Sequence, residues 1–307
     1  MNANAAEVAP LRAPASRAGT LETLLWLVRR ELWEHRALWI APLALEAVLA
    51  VCLMVGQINL DVPFADPAVS QRLRTSIFTI VFAGLAQPVF LVAAIVVGFY
   101  LLDALYAERR DRSILFWKSL PVSDELTVAS KFAVAAVVVP LGALVLVTAG
   151  GLLFSAIMAL RVPGPIGWNT YEWLRTELVL LLEIIIGVLW YAPIAGALLV
   201  FSAWVRKGPV LWATLVPVVA PIVERIGLGT HYIWKFEAYR MSGIWHKLGY
   251  GHESMFAHLQ SLPPVGDILG AFDFRGAFTD LDLWLGVIAA VALAYTAARI
   301  RRFRDES

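Results

Sequence analysis

YAERRDRSILFWKSLPVSDELTVASK, Tyr106 to Lys131, is a charged interruption between two apolar segments of a 307-residue chain. Each flanking segment is long enough to cross a bilayer, and this decides the fold: the stretch reads as a helix-turn-helix held at a membrane surface. Its charges, its aromatic pair Phe116 and Trp117 and its turn-forming Pro121 shape it to touch something in the cytoplasm.

The composition places the rest of the chain in lipid. It is 60% hydrophobic and 16% charged, with a mean hydropathy of +0.72, whereas an ordinary soluble domain is about 25% charged and about 45–50% apolar. A net charge of +1 gives no electrostatic reason to expect nucleic acid or an acidic partner. Cys52 is the only cysteine and falls inside an apolar run, where it reads as a small hydrophobe.

Residues 1–19, MNANAAEVAPLRAPASRAG, have no continuous apolar core, so they read as a disordered tail rather than a cleaved signal peptide. From Thr20 to Arg36 the pattern becomes helical. Leu21, Leu24, Leu25, Val28 and Leu32 share a face, Thr20 is placed to cap it, and Trp26 and Trp33 lie on its flank. An interfacial helix lying on the cytoplasmic surface is predicted, with membrane lipid as its neighbour.

Six segments then meet the length of about 20 apolar residues needed to span the hydrocarbon: 38–57, 77–104, 132–160, 177–204, 210–229 and 281–300. With the N-terminus inside, sixteen Lys and Arg residues fall on the cytoplasmic side against nine on the other, so both termini are expected in the cytoplasm. The charged stretch becomes a cytoplasmic loop over 105–131. The segment 57–76 is expected as a helix-and-turn connector, 161–175 as a loop, and 230–280, rich in aromatic residues and charges, as a helical external excursion against the outer face. No internal repeat points to the inverted symmetry of many secondary transporters.

The motifs exclude more than they assign. Neither G-x-x-x-x-G-K-[ST] nor G-x-G-x-x-G occurs, so no phosphate-cradling loop is recognisable and nucleotide chemistry must come from another polypeptide. His231, His246, His252 and His258 are not spaced as a metal site, and His252-Glu253 is followed by Phe256 where a zinc protease needs its second histidine. Glu46, Glu183 and Glu224 fall inside apolar runs, where each costs about 2.5 to 3.5 kcal/mol if centred and facing lipid. Each is therefore expected to face protein or a watery path, as an interhelical hydrogen-bonding group or as part of a translocation path. Pro88, Pro140, Pro193, Pro217 and Pro221 make the second to fifth spans breakable.

The stretch from Glu108 to Lys131 resembles the cytoplasmic loop of ABC-2 type permeases, the membrane subunits of ATP-binding-cassette transporters with the type V exporter fold. The likeness rests on the opening Glu108-Arg109-Arg110, the short amphipathic run Ile114 to Ser119, then Leu120-Pro121-Val122-Ser123, and Lys131 opening the next span. Ser123 with Asp124 and Glu125 also has the makings of a helix start. Where many relatives read Gly-Thr-x-Glu, this chain reads Arg112-Ser113-Ile114-Leu115, so their acidic contact is missing and the loop is more basic and aromatic.

The resemblance implies an all-α membrane protein of six spans with an N-terminal elbow helix, a coupling helix between spans two and three, and re-entrant helices between spans five and six. It implies a permease in the bacterial inner membrane, paired with a second copy or a paralogue and with cytoplasmic ATPase subunits that carry ATP and Mg²⁺, this chain holding no cofactor or metal of its own. Glu108, Arg109, Arg110, Asp111, Arg112, Phe116, Trp117, Lys118 and Pro121 would couple to the ATPase. Cargo would be exported, and the apolar spans favour a hydrophobic or amphipathic one. Two other classes compete: a proton-coupled secondary transporter using the membrane carboxylates, and an intramembrane enzyme, for which no nucleophile-base constellation is present.

Overall fold

The computed structural model describes residues 19–55, 71–119, 122–161, 168–248 and 272–303. Among these residues there are helices and short connections and no strand, and six helices are long and apolar enough to cross a membrane. The protein is an all-α integral membrane protein. The expected tail, most of the first connector, Leu120, Pro121 and the middle of the 230–280 segment, with His252 and His258, lie outside the described residues.

Helix α1, Thr20–Glu34, leads through His35 and Arg36 into α2, Ala37–Val55, the first span. Thr20 is the first helical residue rather than the cap. Gly19 occupies the cap position, and Thr23 Oγ1 donates back to the Gly19 carbonyl at 3.3 Å. The face of α1 that packs carries Leu27 and Glu31. Leu21, Leu25, Trp26 and Trp33 are exposed, while Val28 and Leu32 of the stripe read from the sequence pack against the main core.

The second span, α3, Gln71–Ala104, is a single helix that starts before residue 77 and breaks at Leu105. The backbone N–H groups of Leu105 and Tyr106, freed by the break, both donate to Ser202 Oγ at 3.0 Å. That acceptor lets the chain bend without leaving buried donors unpaired. Two short helices follow, α4, Tyr106–Arg110, and α5, Ile114–Ser119. The turn between them passes through Arg112 at φ 56°, a left-handed conformation that ends a helix but is uncommon outside glycine and asparagine.

Ser123 starts the next helix as expected, accepting from Leu126 N at 3.1 Å with Asp124 and Glu125 in the first turn. The third span is longer than the apolar run alone. It comprises α6, Asp124–Ala133, a π-helical turn, Val134–Val138, and α7, Val139–Arg161. Pro140 has no N–H to offer the carbonyl four residues back, Ala136, which sits in that π turn; widening the ladder is the helix's response. The other in-span prolines, Pro42, Pro88, Pro193, Pro217 and Pro221, are carried within unbroken helices.

The fourth span, α8, Thr170–Trp204, begins within the segment expected to be a loop. Asn169 caps it, accepting from Tyr171 N at 3.0 Å and Glu172 N at 3.3 Å, with Glu172 in the first turn. The fifth span, α9, Pro209–Leu228, is bounded by Gly208 at φ 61° and Gly229 at φ 65°, positions that suit a residue without Cβ. Then come α10, Tyr232–Lys247, α11, Phe274–Thr279, and the sixth span, α12, Leu281–Phe303.

Spans four and six pack along most of their length. A Cβ on Gly196 of α8 would lie 2.9 Å from Leu293 Cβ and 3.1 Å from the Ala290 carbonyl, so the seam depends on small residues that let two backbones approach. The main core joins Leu199 and Ala203 of α8, Ala297 and Ala298 of α12, and Leu101, Ala104 and Leu105. By contrast, α9 directs nearly all of its apolar side chains outward.

Gly196→Val should lower the thermal unfolding midpoint in detergent by an amount equivalent to about 1–3 kcal/mol, the usual cost of overpacking. Gly187→Ala, on the same helix with nothing within 4 Å of the added Cβ, should leave the midpoint unchanged. Equal behaviour of the two variants would remove the seam as the reason for the close approach.

Candidate functional site

The end of the bundle that holds α4 and α5 contains a buried network of charge. Glu31 of α1 has no exposed surface and Lys131 of α6 has 1%. Lys131 Nζ donates to Glu31 Oε1 at 2.9 Å and stands 3.0 Å from Glu108 Oε1 on α4. Arg30 Nη2 reaches the same two carboxylates, at 2.5 Å and 3.2 Å. From the other side Arg301 of α12 donates to Glu108 Oε2 through Nη2 at 3.0 Å and Nε at 3.3 Å, and pairs with Asp124 at the start of α6. Tyr100 of α3 donates its hydroxyl to Glu31 Oε2 at 3.0 Å.

Three cations, Arg30, Lys131 and Arg301, therefore face three carboxylates, Glu31, Glu108 and Asp124. Burial pushes the Glu31 carboxyl upward, but Lys131 and then Arg30 outweigh it and hold the group below the usual carboxylate range. Burial lowers His35 as well, more than Glu31 raises it. It packs edge-on against Tyr100 with ring centroids 4.8 Å apart.

The residues singled out in the charged stretch divide into two groups. Glu108 is buried at the centre of the network. Arg109 is turned inward, donating to the Ser202 carbonyl at 2.5 Å and the Val205 carbonyl at 3.0 Å, beyond the end of α8. Trp117 is covered by the Arg30 guanidinium, 3.9 Å from its ring centroid. Lys118 Nζ reaches the Arg302 carbonyl at 3.4 Å. Facing outward are Arg110 and Asp111, paired with each other at 2.9 Å, then Arg112 and Phe116, which is 61% exposed. Pro121 lies outside the described residues.

The three carboxylates expected within the spans have different surroundings. Glu224 accepts from Thr230 Oγ1 at 2.6 Å and from the Tyr232 and Ile233 backbone N–H groups at 2.7 Å, capping α10. Its neighbour Arg225 turns to His231. Glu183 is buried with Gln87 Nε2 of α3 at 3.5 Å. Glu46 stands in a crevice between α2, α3 and α7, and none of the described residues offers it a hydrogen bond or an opposite charge. A fourth, Glu177 on α8, was not among the residues singled out; Thr148 Oγ1 lies 2.9 Å from its Oε2.

Sequence reasoning missed Glu31 as well, although a signal was present. Leu24, Leu27, Val28 and Glu31 follow the i, i+3, i+4, i+7 spacing of one helical face, so a carboxylate stood where the apolar stripe should continue. Asp124 and Arg301 gave no such signal, because their meeting depends on how α6 and α12 pack. Among the described residues, Glu31, Glu34 and His35 are the group close enough to share a metal ion, with ligand atoms within 4.8 Å. Lys131 and Tyr100 already occupy both Glu31 oxygens.

At the far end, α10 is fastened to spans four and six. Trp190 Nε1 donates to the Arg240 carbonyl and Tyr191 Oη to the Met241 carbonyl, both at 2.8 Å. The Arg240 guanidinium lies 4.4 Å from the Trp190 ring centroid, and Tyr239 Oη donates to Asp282 at 2.5 Å. Burial and then that hydrogen bond push the Tyr239 hydroxyl up to about 12.

Fold and site together define a helical integral membrane protein with a buried ionic network at one end. In comparisons with known proteins the chain matches no protein-family profile, no curated protein and no solved structure.

Lys131→Met should cost about 3–5 kcal/mol, because Glu31 and Glu108 lose their common buried cation. Glu31→Gln with Lys131→Met should cost less than the sum of the two single changes in thermal unfolding. The stabilisation from Glu31 is complete above the usual carboxylate pKa of about 4.3 and is lost as pH falls through the lower value it has when folded. A plot of unfolding midpoint against pH should therefore be steeper below pH ~4.3 for the unaltered protein than for Glu31→Gln.

Proposed function

We infer that this chain is the transmembrane subunit of an ATP-driven exporter, similar to the ABC-2 type permeases, in a bacterial inner membrane with both termini in the cytoplasm. Two copies, or one with a paralogue, assemble with two separate ATPase subunits that carry ATP and Mg²⁺. The observation that carries this reading is the position of Glu108. It sits at the root of the α4–α5 segment and is bonded at once to Lys131 at the start of span three and to Arg301 at the end of span six, with Arg30 of α1 beside it.

A force applied to α5 is thereby delivered to several helices together. ATP-driven closure of the ATPases pushes on the outward-facing residues Phe116, Arg110, Asp111 and Arg112. Trp117 and Lys118 transmit the displacement inward, through Arg30 and the end of α12. Spans two, three and six then tilt, and the path between protomers opens outward. Nucleotide drives this only because it binds the two arrangements with different affinity. The exposed apolar side chains of α1, Leu21, Leu25, Trp26 and Trp33, suit an elbow helix lying in the headgroup layer.

Phe116→Asp with Arg110→Glu should weaken association with a co-expressed partner ATPase subunit by at least about tenfold, equivalent to 1.4 kcal/mol, with no change in unfolding midpoint. Glu108→Gln should leave association in place and uncouple hydrolysis from transport. Full association of the Phe116/Arg110 variant would remove this surface from the mechanism.

A further inference from the structure

Glu46 is the tenth of the nineteen residues of α2, so it lies near mid-depth of the first span, about 14 Å from either end at 1.5 Å per residue. Other carboxylates of the spans have partners, Thr148 for Glu177, Gln87 for Glu183, and, near the end of α9, Thr230 with two backbone N–H groups for Glu224. Glu46 has none among the described residues, and it is half-buried rather than turned away from the bundle. It points into a crevice whose remaining lining is apolar, including Leu49, Leu53, Phe82, Phe154 and Ile157.

Two adjacent glycines of α7 leave the room that the Glu46 carboxylate and the Phe82 ring take on this wall of the crevice. A Cβ on Gly150 would occupy the place of the Glu46 carboxylate, and one on Gly151 would strike the Phe82 ring. From Glu46 to Leu53 on one wall, and from Gly150 to Ile157 on the other, the apolar lining runs two helical turns, about 10 Å, toward the end of the bundle away from the charge network. A single acidic group at the bottom of an apolar slot has two complements, a cation and a hydrocarbon chain on the same molecule.

We propose that this crevice binds an amphiphile with one amine, its ammonium group against Glu46 and its hydrocarbon along Leu53, Phe154 and Ile157. The amine is the discriminating group. Lipid chains are as apolar as the walls, so moving hydrocarbon from bilayer to crevice gains little, whereas pairing two charges out of water makes each tolerable at that depth. A phospholipid held at the surface cannot bring its headgroup to mid-depth, so the ligand is a molecule that enters the hydrocarbon region whole. That this amine is the exported cargo rests on the exporter reading; that it binds does not.

The test uses the full chain in phosphatidylcholine nanodiscs, without any ATPase, labelled by tetradecylamine carrying a photoactivatable diazirine on its chain. Labelling is expected on the 49–53 and 154–157 segments. Excess tetradecylamine should compete, tetradecanol should not, and Glu46→Gln should reduce labelling at least about tenfold. Gln keeps the shape and removes a charge from the membrane, so its fold is not at risk. Gly150→Ala, which displaces the carboxylate instead of removing it, should have a similar effect. Undiminished labelling in both variants, or equal competition by the alcohol, overturns the site. Loss of labelling alongside intact ATPase association leaves the exporter reading standing, and the converse result leaves the site standing.

Discussion

Glu31 and Lys131 are both shut off from solvent, and neither is tolerable there without the other. Removing either ion from water is expensive, and the cost is offset only when every charge has an opposite neighbour and the remaining donors are used. Glu108 and Arg301 extend the requirement to α4 and α12, and Tyr100 extends it to α3. One set of charges therefore ties helices that are distant in the chain. An apolar core of the same volume would hold them together but would allow sliding; a network whose members must all be paired allows one arrangement.

The same network explains the division of the charged stretch. Residues that bond inward, Glu108, Arg109 and Trp117, fix the segment to the spans, while Phe116, Arg110, Asp111 and Arg112 remain on the surface. The break at Leu105, with both its freed N–H groups accepted by Ser202, turns the chain out of span two at the level of the network. In the proposed exporter this makes α4 and α5 a rigid handle rather than a flexible loop.

Away from that end the solvent is lipid, and different physics decides. Spans four and six meet through Gly196, Ala290 and their neighbours, because close backbone approach replaces the hydrophobic effect between helices already in hydrocarbon. The far end is closed by aromatic rings whose N–H and O–H groups find backbone carbonyls on α10. Among the described residues, Glu177, Glu183 and Glu224 are absorbed by caps and hydrogen bonds, whereas Glu46 has no such partner.

The sequence alone determined the number of spans, their approximate limits, and the start of α6 at Ser123, because hydropathy, length and capping are properties of contiguous residues. Asn169 and Glu172 held the same kind of local signal for the true start of α8, although the surrounding Pro and Gly residues masked it. The π turn needed Pro140 to be read together with the carbonyl four residues before it. Only the tertiary structure decided which charges are buried together. Glu31 and Lys131 are a hundred residues apart, and Glu108 and Arg301 nearly two hundred; their pairing follows from the order in which spans pack. Arg109 and Trp117, turned inward with Glu108, were settled in the same way, since their partners lie on or just beyond other helices.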